Sequence, residues 1–199
     1  MQPLPRLILA TRNAHKTEEI RSMIGDRFEV LDVTSFPECP QIEETGTTFL
    51  ENARLKAEGI SRVVEGWVLS DDSGLEVDAL DGAPGVWSSS FGGDEGNHAL
   101  NNARLIAEME GKTDRRARFR CMMVLAKEGL EQANFNGTVE GHIIDFPQGS
   151  HGFGYDPLFI PDGYEETFAE LGEDVKNTLS HRSRALAEVI GYLEHSQSK

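Results

Sequence analysis

Three short apolar runs, "RLILAT", "FEVLDV" and "WVLS", are separated by segments whose apolar residues recur at helical spacing. That alternation limits the fold more than any other feature of the chain. Runs this short and this uniformly apolar suit strands buried on both faces, as in the parallel part of a helix-covered sheet. Between the first two runs, "NAHKTEEIRSMIG" is predicted helical, with Asn13 as its N-cap and Gly25 at its end. Before the third, "TTFLENARLKAEGISRVV" is an amphipathic helix: Phe49, Leu50, Ala53, Ala57, Ile60 and Val64 form one apolar stripe. Asn52 and Lys56, four apart, share a different, polar stripe. "TSFPECPQIEETG" reads as a loop, since Pro37 and Pro40 bar regular structure. Further on, "GNHALNNARLIAEMEG" predicts a helix closed by Gly111. "ARFRCMMVLA" and "ANFNGTVEGHIID" predict two long strands joined through "KEGLEQ" as a hairpin. "GFGYDPLFI" is Gly-rich and then briefly extended. "SHRSRALAEVIGYLEH" is a closing helix with Ser180 as N-cap. Early alternation and a late hairpin together predict an α/β protein with a mixed sheet and helices on both faces. With 199 residues and no repeat or linker, one domain spanning residues 1–199 is expected.

Charge narrows the partners. Acidic residues number 34 and basic ones 19, a formal charge of -15, so the surface repels nucleic acid and anionic membranes in general. A small anionic substrate is compatible only where the few cations converge or a metal intervenes. No apolar run approaches the length of a membrane span, and "MQPLPRLILAT" lacks the apolar core and cleavage site of a signal peptide. The two cysteines, Cys39 and Cys121, match no ligand spacing. They are expected to be reduced thiols of a cytoplasmic protein, without a functional role.

Four constellations could carry chemistry. In "ATRNAHK" a strand gives way to a polar turn and a helix, which presents backbone N–H groups and a positive helix end to an anion. Thr11 and Asn13 add donors there, and Arg12 and Lys16 add charge, although the glycines of a Walker loop are absent. The second constellation is acidic: Glu43 and Glu44 in a loop, Asp71 and Asp72 after a strand. Such hard oxygen ligands suit Mg²⁺, which is usually held by one or two carboxylates plus phosphate. Neighbouring strand residues point to opposite faces, so Asp71 and Asp72 address one ion only if the chain bends between them. Gly74 permits that bend, and "WVLS" is expected to end at the pair. The third is "GSHGFGYDP", where Phe153 and Tyr155 alternate among glycines. One ring can face a ligand and stack on a flat base, and Asp156 can accept from ring N–H groups. The fourth is "KNTLSHRSRAL", where Lys176, His181 and Arg182 are expected to gather positive charge at the start of the last helix. Together these supply cationic and N–H-rich places for phosphates, carboxylates for Mg²⁺, and an aromatic for a base.

Taken in order, the blocks "LATRNAHK", "EETGTTFLENARLKA", "DDSGLEVDALDGAPGV", "HGFGYDPLF" and "SHRSRAL" resemble the inosine triphosphate pyrophosphatase family, the Ham-type dITP/XTP pyrophosphatases, over nearly the whole chain. The resemblance implies an elongated mixed α/β fold of two lobes with a central substrate cleft, and usually a homodimer. It implies Mg²⁺-dependent hydrolysis of dITP, ITP or XTP to the nucleoside monophosphate and pyrophosphate. By the same resemblance, Thr11, Arg12, Asn13, Ala14, His15 and Lys16 would hold phosphates, joined by Lys56. Glu44 would help hold the metal, with adjacent Glu43 not fully separated from it by the motif. Asp72 would be metal ligand and proton acceptor, Asp71 would assist, and Ser73 would contact substrate. Phe153, Gly154, Tyr155 and Asp156 would form the base pocket, with Phe153 as the stacking ring, and Lys176, His181 and Arg182 would close it. Two departures stand out: Arg12 where glycine is common, and Ser90 in "GVWSSSF" where an arginine is frequent.

Overall fold

The computed structural model describes residues 4–196. Six strands, β1 (Arg6–Leu9), β2 (Glu29–Asp32), β3 (Trp67–Val77), β4 (Arg116–Lys127), β5 (Leu130–Ile143) and β6 (Phe159–Pro161), form one sheet in the order β2-β1-β3-β4-β5-β6. The helices are α1 (Ala14–Ile24), α2 (Phe49–Ser61), α3 (His98–Glu108), α4 (Phe168–Leu179) and α5 (His181–Ser196). Strand β1 runs parallel to both neighbours, with Leu7 opposite Val30 on one side and Trp67 on the other. Strand β6 is antiparallel to β5, so the sheet is mixed as expected.

Chain contacts divide the described residues between two compact units. One is drawn from residues 4–72, Cys121–Asn136 and residues 183–196, the other from Ser73–Arg120 and Gly137–Arg182. In the first unit the period of two along each strand sorts the core into layers. Leu7, Leu9 and Leu69, with Cys121, Met123 and Leu125 of β4, pack against Ile20 and Ile24 of α1 and Ala185, Leu186, Val189 and Leu193 of α5. The alternate residues Ile8, Ala10 and Val68 pack against Ile60 and Val64, while Val124 and Ala126 pack against Ala53 and Ala57 of α2. Helices α1 and α5 therefore cover one face of this part of the sheet, and α2 the other. The second unit has its own core, in which Leu75, Val77, Phe119, Val139 and Ile143 meet Leu105 of α3, Met109 just past its end and Phe168 of α4.

Two elements differ from the sequence expectation. Strand β3 does not stop at the aspartates but runs through them to Val77, so no turn separates Asp71 from Asp72. Helix α4 has no counterpart among the expected elements; Lys176, expected at the start of the closing helix, lies instead in the last turn of α4, and α5 starts after Ser180. A capping box was legible there: Thr167 Oγ1 accepts from Glu170 N–H while the Glu170 carboxylate accepts from Thr167 N–H. Gly172, at φ 79°, breaks the helical geometry inside α4 and weakens its periodic signal.

Candidate functional site

Strand alternation separates the two aspartates. Asp71 shares the parity of Leu69 and faces the α1 side; its carboxylate pairs with Lys16 Nζ through Oδ1 and meets Cys121 Sγ at 3.1 Å through Oδ2. Asp72 shares the parity of Val68 and Ser70, whose hydroxyl donates to Ala53 O of α2. It faces the α2 side, where its Oδ1 accepts from Lys56 Nζ at 2.9 Å. A straight strand thus gives the neighbouring acids different partners, which the expected bend would not have done. Both lysines also reach the Asp71 main-chain carbonyl, Lys16 at 3.4 Å and Lys56 at 3.1 Å.

Lys56 Nζ has a third acceptor, Glu44 Oε2 at 2.9 Å. Of the adjacent glutamates it is Glu44 that joins the cluster. An ammonium held between the Glu44 and Asp72 carboxylates shows that these oxygens converge on one cation-sized place. Among the described residues no group of three or more His, Cys, Asp or Glu could hold a metal. Glu44 and Asp72 offer two carboxylates at one place, the number by which Mg²⁺ is usually held alongside phosphate and water.

Burial and neighbours set the charges here. Asp72 is only 8 % exposed, and loss of solvent pushes its carboxyl up to about 6; Lys56 and Lys16 oppose that rise, and the Glu44 charge adds to it. Burial also works against the charge on Glu44, but Lys56 outweighs it and holds that carboxyl below its ordinary value. Burial likewise opposes the Lys56 charge, and Asp72 and Glu44 outweigh it, so the ammonium is held above its ordinary value.

The "TRNAHK" turn is built as the sequence suggests, with one consequence for anion binding. Asn13 caps α1, its Oδ1 accepting from His15 N–H at 3.0 Å and Lys16 N–H at 3.3 Å, while Thr11 Oγ1 accepts from Asn13 N–H. Two N–H groups of the helix end are thereby engaged by the cap. Ala14 opens the helix, and Arg12 donates to Cys39 O at 3.1 Å, which ties the turn to the proline-rich loop.

In the second unit the aromatic loop separates its two rings. Tyr155 is buried, its hydroxyl donating to Ser88 O at 2.9 Å, whereas Phe153 stays half-buried. Asp156 Oδ2 accepts from Phe153 N–H at 2.9 Å and from Lys176 Nζ at 2.6 Å, and a Cβ at Gly152 would collide with that same oxygen. The loop is therefore folded around one buried carboxylate. Cations adjoin the Phe153 ring: Lys176 Nζ lies 4.6 Å from its centroid and Arg182 Cζ 5.7 Å. Gly154 O accepts from Asn102 Nδ2 of α3 at 3.1 Å. Arg182, 1 % exposed, donates to Ser73 Oγ at 2.9 Å, and His181 stacks on Phe119 with centroids 4.9 Å apart.

The expected residues thus fall into two groups. Thr11–Lys16, Glu44, Lys56, Asp71 and Asp72 belong to the first unit, and Ser73, Phe153–Asp156, Lys176, His181 and Arg182 to the second. The Ham1 family profile matches residues 7–192, nearly the whole chain and both groups. The chain belongs to the Ham1 family. It is 48% identical over 194 residues to the dITP/XTP pyrophosphatase of an Exiguobacterium strain, covering 95% of this chain and 99% of that one. It is 42% identical over 196 residues to the dITP/XTP pyrophosphatase of Bacillus licheniformis, covering 97% and 100%. Among solved structures, the Ham1 protein of Staphylococcus aureus aligns with a TM-score of 0.86 at 35% identity, over 96% of this chain and 99% of that one. The Coxiella burnetii HAM1 protein aligns at 0.87 and 36% identity, over 96% and 100%.

Beside the expected Ham1 residues stand others that sequence reasoning passed over. Cys121, taken as without a role, contacts the Asp71 carboxylate; its odd-numbered parity in the alternating "ARFRCMMVLA" run matches that of the core face, but nothing in the sequence pairs that face with Asp71. His98, at the start of α3, has its ring centroid 6.1 Å from that of Phe153. Asn52 was noticed only as the companion of Lys56 on a polar stripe.

Proposed function

We propose that this Ham1 protein hydrolyses non-standard purine nucleoside triphosphates, dITP, ITP and XTP, to the nucleoside monophosphate and pyrophosphate, with Mg²⁺ as cofactor. The observation that carries the reading is the convergence of Lys16 and Lys56 on the Asp71–Asp72 peptide, with Glu44 sharing Lys56. This places positive charge for phosphates beside carboxylates for a hard cation, in a chain that is otherwise strongly acidic. The name dITP/XTP pyrophosphatase, carried by relatives over the full chain length, supports dITP and XTP among these substrates.

Glu44 and Asp72 would hold Mg²⁺ together with the triphosphate, and the bound ion would screen phosphate charge and polarise phosphoryl oxygens. Asp72 is the residue suited to orient a water and take its proton, because its carboxylate lies within the lysine cluster, 2.9 Å from Lys56 Nζ, beside the carboxylate of Glu44. That water attacks the α-phosphorus, and pyrophosphate leaves with its charge met by Lys16 and Lys56. Phosphoryl transfer depends mainly on positioning and electrostatics, which these groups provide. Phe153 serves as stacking platform for the base. A 6-keto purine presents an acceptor where adenine presents a donor, so donors at that edge leave adenine mispaired. Each buried unpaired group costs about 1–3 kcal/mol. A homodimer belongs to the same reading and is checked by light scattering.

The deciding experiment offers ITP, dITP, XTP, ATP and GTP with Mg²⁺ and identifies the products. Pyrophosphate from the first three, with ATP and GTP poorly used, is the expected outcome. Release of orthophosphate would assign the cleavage to a different bond, and intact ITP after prolonged incubation would reduce the protein to a nucleotide binder.

A further inference from the structure

We infer that Asn52 is a positioning residue for Glu44, fixing the loop that presents this carboxylate to the metal; the inference rests on the reading that Glu44 is a metal ligand. Helix α2 begins after Thr48, and two adjacent side chains of its first turns fold back over the incoming chain. The Glu51 carboxylate accepts from Thr47 N–H at 2.7 Å and from Thr48 N–H at 3.2 Å. Asn52 Oδ1 accepts from Gly46 N–H at 2.8 Å. Three consecutive main-chain donors just before the helix are thus held by side chains of the helix itself.

An N-cap and capping box alone would satisfy the helix end. Asn52 does something beyond that: its bond lies further out, on the residue two positions from Glu44. It is 3 % exposed, so its amide oxygen is committed to this contact away from solvent. The contact is also tight. A Cβ at Gly46 would stand 2.6 Å from Asn52 Oδ1 and 2.6 Å from Glu51 Cβ, so only glycine lets the loop approach this closely. One helical turn beyond Asn52, Lys56 grips the Glu44 carboxylate at 2.9 Å. The same stripe of α2 therefore holds the loop at two points, the main chain through Asn52 and the side chain through Lys56. When a cation and phosphates compete for Lys56 and Glu44, the main-chain contacts of Asn52 and Glu51 remain, and that of Asn52 is the one nearer to Glu44. Partners of this kind, one step removed from the metal, typically change affinity by about 10- to 100-fold when lost.

The test compares Asn52→Leu, Asn52→Asp, Gly46→Ala and Glu44→Gln in the full chain. Mn²⁺ serves as probe, its binding followed by loss of the free-ion electron paramagnetic resonance signal, and steady-state ITP hydrolysis is measured against Mg²⁺ concentration. Asn52→Leu keeps side-chain size without the acceptor, and Gly46→Ala attacks the same contact from the other side. Both are expected to weaken Mn²⁺ binding by about tenfold or more, and to raise the Mg²⁺ concentration for half-maximal turnover by a similar factor, while kcat at saturating Mg²⁺ stays close to the parent. Asn52→Asp keeps an acceptor oxygen and is expected to bind Mn²⁺ like the parent. A folded Asn52→Leu, or Gly46→Ala where Asn52→Leu does not fold, with parental Mn²⁺ affinity overturns the inference. So does an Asn52→Asp that loses affinity as fully as Asn52→Leu. Glu44→Gln separates the two levels. If it binds Mn²⁺ like the parent, the metal reading fails and the inference with it. If it binds weakly while Asn52→Leu and Gly46→Ala do not, the inference alone fails.

Discussion

Lys16 and Lys56 come from helices that cover opposite faces of the sheet, yet both donate to the main-chain carbonyl of Asp71, at 3.4 and 3.1 Å. The carbonyl of a strand residue lies near the plane of the sheet, so it is the one group that side chains from both faces can reach. The carboxylates on either side then complete the pattern, Asp71 with Lys16 and Asp72 with Lys56.

Removing either ammonium should therefore cost catalysis more than folding. Lys16→Met and Lys56→Met are each expected to lower kcat/KM for ITP by about 10²–10³, the usual loss when one aimed electrostatic group is deleted. Because the two share an acceptor, the double variant should fall short of the sum of the single effects. Steady-state kinetics at saturating Mg²⁺ checks this, and either single variant within tenfold of the parent removes that lysine from the reaction.

The pH dependence of stability carries a sign of its own. Asp72 has a folded pKa of about 6, above its ordinary value of 3.8. The folded state then holds its proton more tightly than the unfolded state. The stability this contributes is full below about 4 and is lost as pH rises through 6. Glu44 runs the other way, since its lowered pKa contributes stability above the ordinary carboxylate range and loses it in acid. Comparing the parent with Asp72→Asn in EDTA isolates the first effect. The metal-free variant should be more stable at pH 7 by up to about 3 kcal/mol, with the advantage vanishing near pH 4. Denaturant titrations across that range measure it. An Asp72→Asn that is less stable at pH 7 shows that the carboxylate is held by its lysines, not strained by burial.

How much of this could be read beforehand depended on the range of the interaction. Helix α1 with its Asn13 cap, the polar stripe of α2 and the hairpin of β4 and β5 follow from residues within a few positions of one another, and they form where expected. Strand β3 was cut short because Asp and Gly are poor strand formers by local preference; pairing within the sheet and the two lysines override that preference. That Asp71 and Asp72 would face opposite sides of a straight strand was legible from strand parity, but their partners were not. The contact to Cys121 spans 50 residues, and the contact between Arg182 and Ser73 spans 109. Helix α4 was lost because Gly172 interrupts it, although its capping box was visible.

Cys121 offers a sharper check on Asp71. Its thiol meets Asp71 Oδ2, and the residue is fully buried. Cys121→Ala removes the donor without adding bulk to the buried site; it should destabilise the protein by about 1–3 kcal/mol through the weakened pairing of a buried carboxylate, and slow turnover as Asp71 loses its orientation. Cys121→Ser restores a donor and should recover most of the activity. Equal activity in the two variants would reduce Cys121 to a packing residue. The native thiol should also resist a bulky disulfide reagent until the protein unfolds.

Asp156 and Lys176 form a deeply buried ion pair in the second unit, 2.6 Å apart and together shaping the Phe153 loop. Breaking such a pair by one member typically costs about 3–5 kcal/mol, whereas replacing both by neutral groups costs far less. Asp156→Asn should therefore lower the melting temperature by about 10 °C for a chain of this size. Combining it with Lys176→Met should recover a good part of that loss. Function should not recover with it. The double variant leaves the Phe153 ring without its nearest cation and without the carboxylate that holds its N–H, so KM for ITP should stay raised while kcat changes little. Recovered stability with an unrestored KM is the outcome that marks Asp156 and Lys176 as builders of the base platform. Recovery of both would show that the loop needs only to be folded, by whatever residues fold it.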